Sequence, residues 1–272
     1  MAVQILTKVL LTPVAINACF SSQVFMRSSN LSLRSSMMTV QPFHSHNKNI
    51  MLNKFSFDPI QEQLFKENCL LVDENDKVVG YKSKRDCHTV VNNSIPLHRA
   101  FSVFLFNENN ELLLQQRSRY KITYPEYFTN TCCSHPLYDH EDETKEKDNI
   151  GVKIAAQRRL NYELGIPTQE IGMDNIKCIT RIHYFDKGDG VFGEHEIDYI
   201  VFIKKNVTIN INKNEIHHTE YVGMDKMEDF LKSLHYPITP WFHFVVQSKL
   251  YTWWKNLDQI LNSPTDNVIH KF

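Results

Sequence analysis

The sequence predicts an α+β sandwich, a mixed β-sheet flanked by helices, and three observations carry that expectation. The run from His98 to Phe106 (HRAFSVFLF) is almost continuously apolar after its first two residues, as in a strand buried on both faces. Residues 194 to 203 alternate with period two. His195, Ile197, Tyr199, Val201 and Ile203 share one face of that strand, and Glu194, Glu196 and Asp198 share the other. From Gly151 to Leu164, apolar residues recur at Val152, Ala156, Leu160 and Leu164, which makes an amphipathic helix that Gly165 is placed to end. Strands and helices alternate without a regular strand–helix–strand rhythm, which points away from a parallel α/β sheet.

Taken in order, residues 1 to 56 read as a targeting leader and 57 to 272 as the folded domain. The first 57 residues contain none of the 31 acidic residues and five of the 30 basic ones (Lys8, Arg27, Arg34, Lys48, Lys54). An acid-free, Ser-rich stretch with dispersed arginines fits a mitochondrial transit peptide, with cytosol or peroxisome as the alternatives. Gln61 to Glu67 suits a short helix. Cys69–Val72 and Lys77–Tyr81 flank the turn at Asp73–Asp76, a hairpin signal. After the 98–106 strand come a turn at Asn107–Asn110, a partner strand to Gln116, a basic loop from Arg117 to Pro125, and an acidic, exposed connection over 137–149. Lys177–Tyr184 reads as a strand. Met224–Leu234 and Trp241–Leu261 read as helices, the latter after Pro240.

Composition limits the function. A hydrophobic content of 42% with 17 Phe and 11 Tyr is ample for a core, and a net charge of -1 offers no field for nucleic acid. The six cysteines show no CxxC spacing and read as reduced thiols. No apolar run reaches membrane-spanning length. A monomer acting on a small molecule is the expectation.

The stretch Thr129–Pro136 (TNTCCSHP) puts a thiol, a hydroxyl and an imidazole within four residues. A buried cysteine is ordinarily a small hydrophobe, but basic neighbours lower a thiol's pKa and make it a proton carrier or nucleophile. Spacing does not choose between Cys132 and Cys133. Two glutamates on one strand face, beside a buried strand, call for a cation between them or for one to stay protonated. Histidines such as His88 and His98 could complete such a site for zinc, manganese or magnesium. Lys84, Arg117 and Lys121 are candidate phosphate ligands. Arg159 and Glu163 lie at i, i+4, the spacing of a helix-surface pair.

Four motifs together give a closer resemblance: TNTCCSHP, Leu97–Ser102 (LHRAFS), Gly193–Tyr199 (GEHEIDY) and Thr239–Trp241 (TPW). From about residue 57 onward the chain resembles the type I isopentenyl-diphosphate isomerases of the Nudix superfamily, which implies a Nudix-like sheet. The segment Arg158–Ile166 resembles the end of a Nudix box. It departs from the hydrolase pattern, because Arg159 and Tyr162 stand where glutamates are expected. The resemblance therefore implies an isomerase, with a Nudix hydrolase of a diphosphate-linked metabolite as the rival. It implies Cys133 as catalytic thiol, with Glu196 and Tyr184 as its acid/base partners. His88, His98, His135, Glu194 and Glu196 would hold one divalent metal, and Glu163 would help to hold Mg2+ on the diphosphate. Lys84, Arg117, Lys121 and Ser134 would bind the diphosphate, with Trp241 over the hydrocarbon. Trp253 and Trp254 are candidates for the pocket wall or for plain helix packing.

Overall fold

A computed structural model describes residues 57–272, so the expected leader lies outside the described residues. The chain runs α1 (Pro59–Leu64), β1 (Asn68–Val72), β2 (Val78–Ser83), α2 (Lys84–His88), β3 (His98–Phe106), β4 (Leu112–Arg117), β5 (Phe128–Thr129) and β6 (Cys132–Ser134). It continues through α3 (Ile150–Leu164), β7 (Lys177–Asp186), β8 (Glu194–Lys204), β9 (Ile216–Val222), α4 (Met227–Ser233), α5 (Pro240–Val245), α6 (Tyr251–Lys255), α7 (Leu257–Asn262) and β10 (Ile269–Lys271).

β3 is the centre. The order β10-β7-β8-β3-β1-β2 makes the main sheet, with β6 also on β3 and β4 carrying β5 and β9. β3 and β8 run parallel, with His98 opposite Glu196 and Ala100 opposite Asp198, while β6 joins β3 antiparallel with Cys133 opposite Ser102. Every residue of β3 is buried, as its apolar run requires.

Alternation then sorts the two faces. Phe101, Val103 and Leu105 join Tyr199, Val201 and Ile203 against Val152, Ala156 and Leu160 of α3. Phe104 and Phe106 join Ile200 and Phe202 against Trp241, Phe242 and Trp254 of the C-terminal helices. Helices thus cover both faces, as expected for the α+β class. Each large apolar side chain buried this way stabilises the fold by about 1.5–3 kcal/mol. Toward the start of β3 and β8 the second face turns polar (His98, Ser102, Glu194, Glu196, Asp198), and there it stops being core.

Two expectations change, and two strands had gone unpredicted. The single helix over 241–261 is broken into α5, a π-helical turn (Val246–Leu250), α6 and α7, with a break at Asn256 (φ -110°, ψ 29°). The buried residues Phe242, Val245, Leu250, Trp254 and Leu257 include one five-residue gap, which the wider π turn absorbs so that all face the sheet. The acidic connection is mostly exposed, but Glu143 is 2% exposed and accepts from Arg158 Nε at 2.5 Å and Leu137 N at 2.9 Å. β9 and β10 were not legible: between its buried ends Ile216 and Val222, β9 (IHHTEYV) is solvated, and β10 spans three residues. No helix among the described residues is long and apolar enough to cross a membrane.

Candidate active site

The polar end of the second face opens into a cleft. All the expected site residues except His98 and Glu163 line it. Those two lie behind its wall, with side chains 0% and 4% exposed.

Local folding explains the placements. α2 is one turn long and capped by Ser83 Oγ, which accepts from Asp86 N at 3.1 Å. Lys84 and His88 are four residues apart on it and so face the same way. β6 turns Cys133 to the cleft and Cys132 into the core, because successive strand residues point to opposite faces. Register therefore separates the two thiols: Cys133 meets the cleft and Cys132 does not. Gly193 sits where β8 begins, and its N–H donates to the His88 carbonyl at 2.9 Å, tying the two elements together.

At the inner end, one ligand atom from each of His88, His98, His135, Glu194 and Glu196 lies within 4.8 Å of all the others. His88 Nε2 is 3.0 Å from Glu194 Oε2, and His98 Nε2 and His135 Nε2 are 3.3 Å and 2.8 Å from Glu196 Oε1. The outer nitrogens of two rings are committed elsewhere. His88 Nδ1 donates to Lys84 O at 2.7 Å and His98 Nδ1 to Pro96 O at 2.9 Å, which directs both Nε2 atoms inward. His98 Nε2 and Glu194 Oε2 are buried without a hydrogen-bond partner. Burial, then the Glu196 charge, pushes Glu194 well above the usual carboxylate range. Against burial, the hydrogen bond from His135 and the neighbouring His98 ring hold Glu196 well below it. Burial, then His98, lowers His88 to about 3, which keeps its imidazole neutral. Orphaned atoms, inward Nε2 atoms and a three-nitrogen, two-carboxylate donor set fit a divalent metal.

A Gly193→Ala substitution tests this framework. A Cβ there would collide with the Asp186 and Lys187 backbone. The expected result is a loss of about 1–3 kcal/mol in stability, together with weaker metal retention, measured by thermal unfolding and elemental analysis.

Next to this group, the Tyr184 hydroxyl donates to Glu196 Oε2 in a short hydrogen bond. Across the cleft, Cys133 Sγ receives Trp241 Nε1–H at 3.1 Å, lies 3.1 Å from Asn130 Oδ1 and sits 3.5 Å from Ser102 Oγ. Ser102 Oγ also donates to Asp198 Oδ2 at 2.7 Å. Burial, then Asp198, pushes the Cys133 thiol up to about 12. Arg117 pulls the other way, but the desolvation outweighs it. The basic neighbours therefore do not lower this thiol below its ordinary range, contrary to the expectation from the sequence.

Cations gather at the third side. Lys84 Nζ is 2.6 Å from Glu67, and Lys121 Nζ is 2.6 Å from Glu215. Arg117 donates to the carbonyls of Tyr124 and Thr123 at 3.0 and 2.8 Å, with its guanidinium 5.8 Å from the Trp241 ring centre. Arg159 is no surface residue. It is 3% exposed, holds Glu163 at 2.6 Å, and lines the cleft. Its guanidinium packs on Tyr162 at 4.8 Å, so the two departures from the hydrolase pattern occupy one contact. Trp253 and Trp254 do not line the cleft: they pack on Phe202 and Phe106. Glu215, Ser102 and Asp198 belong to the site, and the sequence assigned none of them a role. Glu215 lies in a polar segment with no periodicity, so nothing marked it.

Known proteins resemble this chain over most of its length. The NUDIX domain family matches residues 96–242. The chain is 52% identical over 220 residues to isopentenyl-diphosphate Delta-isomerase 1 of Bos taurus, covering 79% of this chain and 96% of that one. It is 48% identical over 226 residues to the Mesocricetus auratus protein of the same name, covering 81% and 98%. A Gibberella zeae isopentenyl-diphosphate delta-isomerase is 49% identical over 208 residues, covering 75% and 82%. Identity at that level, over three quarters or more of the chain, establishes that it belongs to the isopentenyl-diphosphate Delta-isomerase family within the NUDIX domain proteins.

Proposed function

We propose that this chain interconverts isopentenyl and dimethylallyl diphosphate by a 1,3-proton shift. The observation that carries the reading is one cleft holding the Cys133 thiol against Trp241 together with the hydrogen-bonded Glu196–Tyr184 pair. An unactivated alkene is a poor base, so protonating it needs a strong, positioned acid. The Tyr184–Glu196 pair delivers a proton to the terminal CH2 carbon, leaving a tertiary carbocation at the neighbouring carbon. The Trp241 π-face stabilises that cation. The thiol passes its own proton through Ser102 Oγ to the Asp198 carboxylate, and the resulting Cys133 thiolate removes a proton from the CH2 group on the far side of the cation. One C–H bond forms, one breaks and the diphosphate stays whole.

A divalent ion held by His88, His98, His135, Glu194 and Glu196 would neutralise the paired carboxylates and make the Tyr184–Glu196 proton more acidic; zinc, manganese and magnesium all suit these donors. Lys84, Arg117, Lys121 and Ser134 bind the diphosphate, and Glu163, now paired with Arg159 behind the wall, would help to hold a magnesium ion on it. Arg159 and Tyr162, standing at carboxylate positions of the box, argue against the hydrolase. The acid-free first 57 residues extend the reading to mitochondrial import, tested by whether protein from cells has lost that N-terminus.

The direct experiment is proton NMR of the protein with isopentenyl diphosphate, magnesium and trace zinc or manganese in heavy water. Dimethylallyl methyl signals with deuterium incorporation are expected. Monophosphate or free phosphate without those signals would give the reaction to the hydrolase. Tyr184→Phe removes only the hydroxyl and keeps the ring against Trp241 and Phe244. It is expected to lower kcat about 10²-fold or more with little change in KM, read by steady-state kinetics.

A further inference from the structure

Glu215 lies outside every motif that points to the reaction. It immediately precedes β9, and its side chain is 0% exposed. A buried carboxylate requires partners, and this one has three. Oε1 accepts from Gln61 Nε2 at 3.0 Å, and Oε2 accepts from both Lys121 Nζ at 2.6 Å and Arg159 Nη2 at 3.2 Å. Against burial, Lys121 and then Arg159 hold its carboxyl well below the usual range. Its backbone joins in, since Ser118 N donates to the Glu215 carbonyl at 2.9 Å and fixes the start of the basic loop.

Lys121 and Arg159 come from different elements, the loop after β4 and α3, and both line the cleft. Two cations this close, out of bulk water, repel strongly. A single oxygen accepting from both keeps them side by side. We propose that Glu215 is a positioning residue for the substrate's diphosphate: it presents Lys121 and Arg159 as a preset pair of donors for phosphoryl oxygens. It touches no substrate itself. For the identity of the anion, the proposal rests on the isomerase reading.

The test measures inorganic pyrophosphate with magnesium, binding to the full chain by calorimetry, alongside isomerase kinetics. Glu215→Gln is expected to raise the pyrophosphate Kd and the KM together by about tenfold to hundredfold, with kcat changing much less. A general loss of packing would not separate KM from kcat in this way. Because Glu215 acts through Lys121, adding Glu215→Gln to Lys121→Met should cost far less than either change alone. Should Glu215→Gln fail to fold, Glu215→Asp keeps the charge but shortens the reach, and is expected to weaken pyrophosphate binding in the same sense. Unchanged pyrophosphate affinity and KM in the folded variant, or full additivity with Lys121→Met, would overturn the proposal. Wild-type protein that binds pyrophosphate but does not turn over isopentenyl diphosphate would sink the isomerase reading instead. Glu215 would then be judged on pyrophosphate binding alone.

Discussion

Replacing Cys133 with alanine is expected to lower turnover by about 10²–10⁴-fold while the protein remains folded. Cys133 is only partly buried, and the Asn130 and Trp241 groups around it retain their mutual hydrogen bond at 3.1 Å. Cys132→Ala should show the reverse signature. Its thiol is 0% exposed in the core beside α3, so it should lose about 1 kcal/mol of stability and keep most of its activity. Thermal unfolding and steady-state rates on both variants separate the two roles. A dead Cys132→Ala beside an active Cys133→Ala would mean the wrong thiol has been assigned.

Stripping divalent metal with a chelator is the second large effect. Without a cation, the inner end of the cleft holds two adjacent buried glutamates and two buried polar atoms with no partner, His98 Nε2 and Glu194 Oε2. Turnover should fall to background. The unfolding midpoint should fall as well, because a ligand at 100 times its Kd contributes about 2.7 kcal/mol, or roughly 5–10 °C for a chain of this size. Zinc, manganese and magnesium added back singly should each be scored for both readouts. An unfolding midpoint indifferent to chelation would mean that the five side chains hold no structural ion.

Much of this site was legible in the sequence because its residues sit on regular elements. The period-two alternation of 194–203 places Glu194 and Glu196 on one face, and β8 does so. The apolar run at 98–106 marked the central strand. What was not legible depends on register and on distant partners. Only the pairing of Cys133 with Ser102 shows which thiol meets the cleft. Only the folded neighbourhood shows that desolvation dominates that thiol. Arg159 looked like half of a helix-surface pair until Glu215, 56 residues away along the chain, was seen to share it. The broken C-terminal helix escaped notice because its five-residue gap is a small disturbance in a strongly apolar segment.

The parallel register of β3 and β8 has a consequence for how this cleft could be altered. Nine consecutive pairs, His98 with Glu196 through Phe106 with Lys204, lock the two strands together. One inserted residue between Arg99 and Ala100 would swing Ser102, Phe104 and Phe106 to the α3 side and send Phe101, Val103 and Leu105 into the cleft. The polar end of the face and the apolar wall behind it would trade places in a single step. New substrate preferences are therefore reachable by exchanging side chains or resizing the loop after β4, whereas the lengths of the two central strands leave no room to vary.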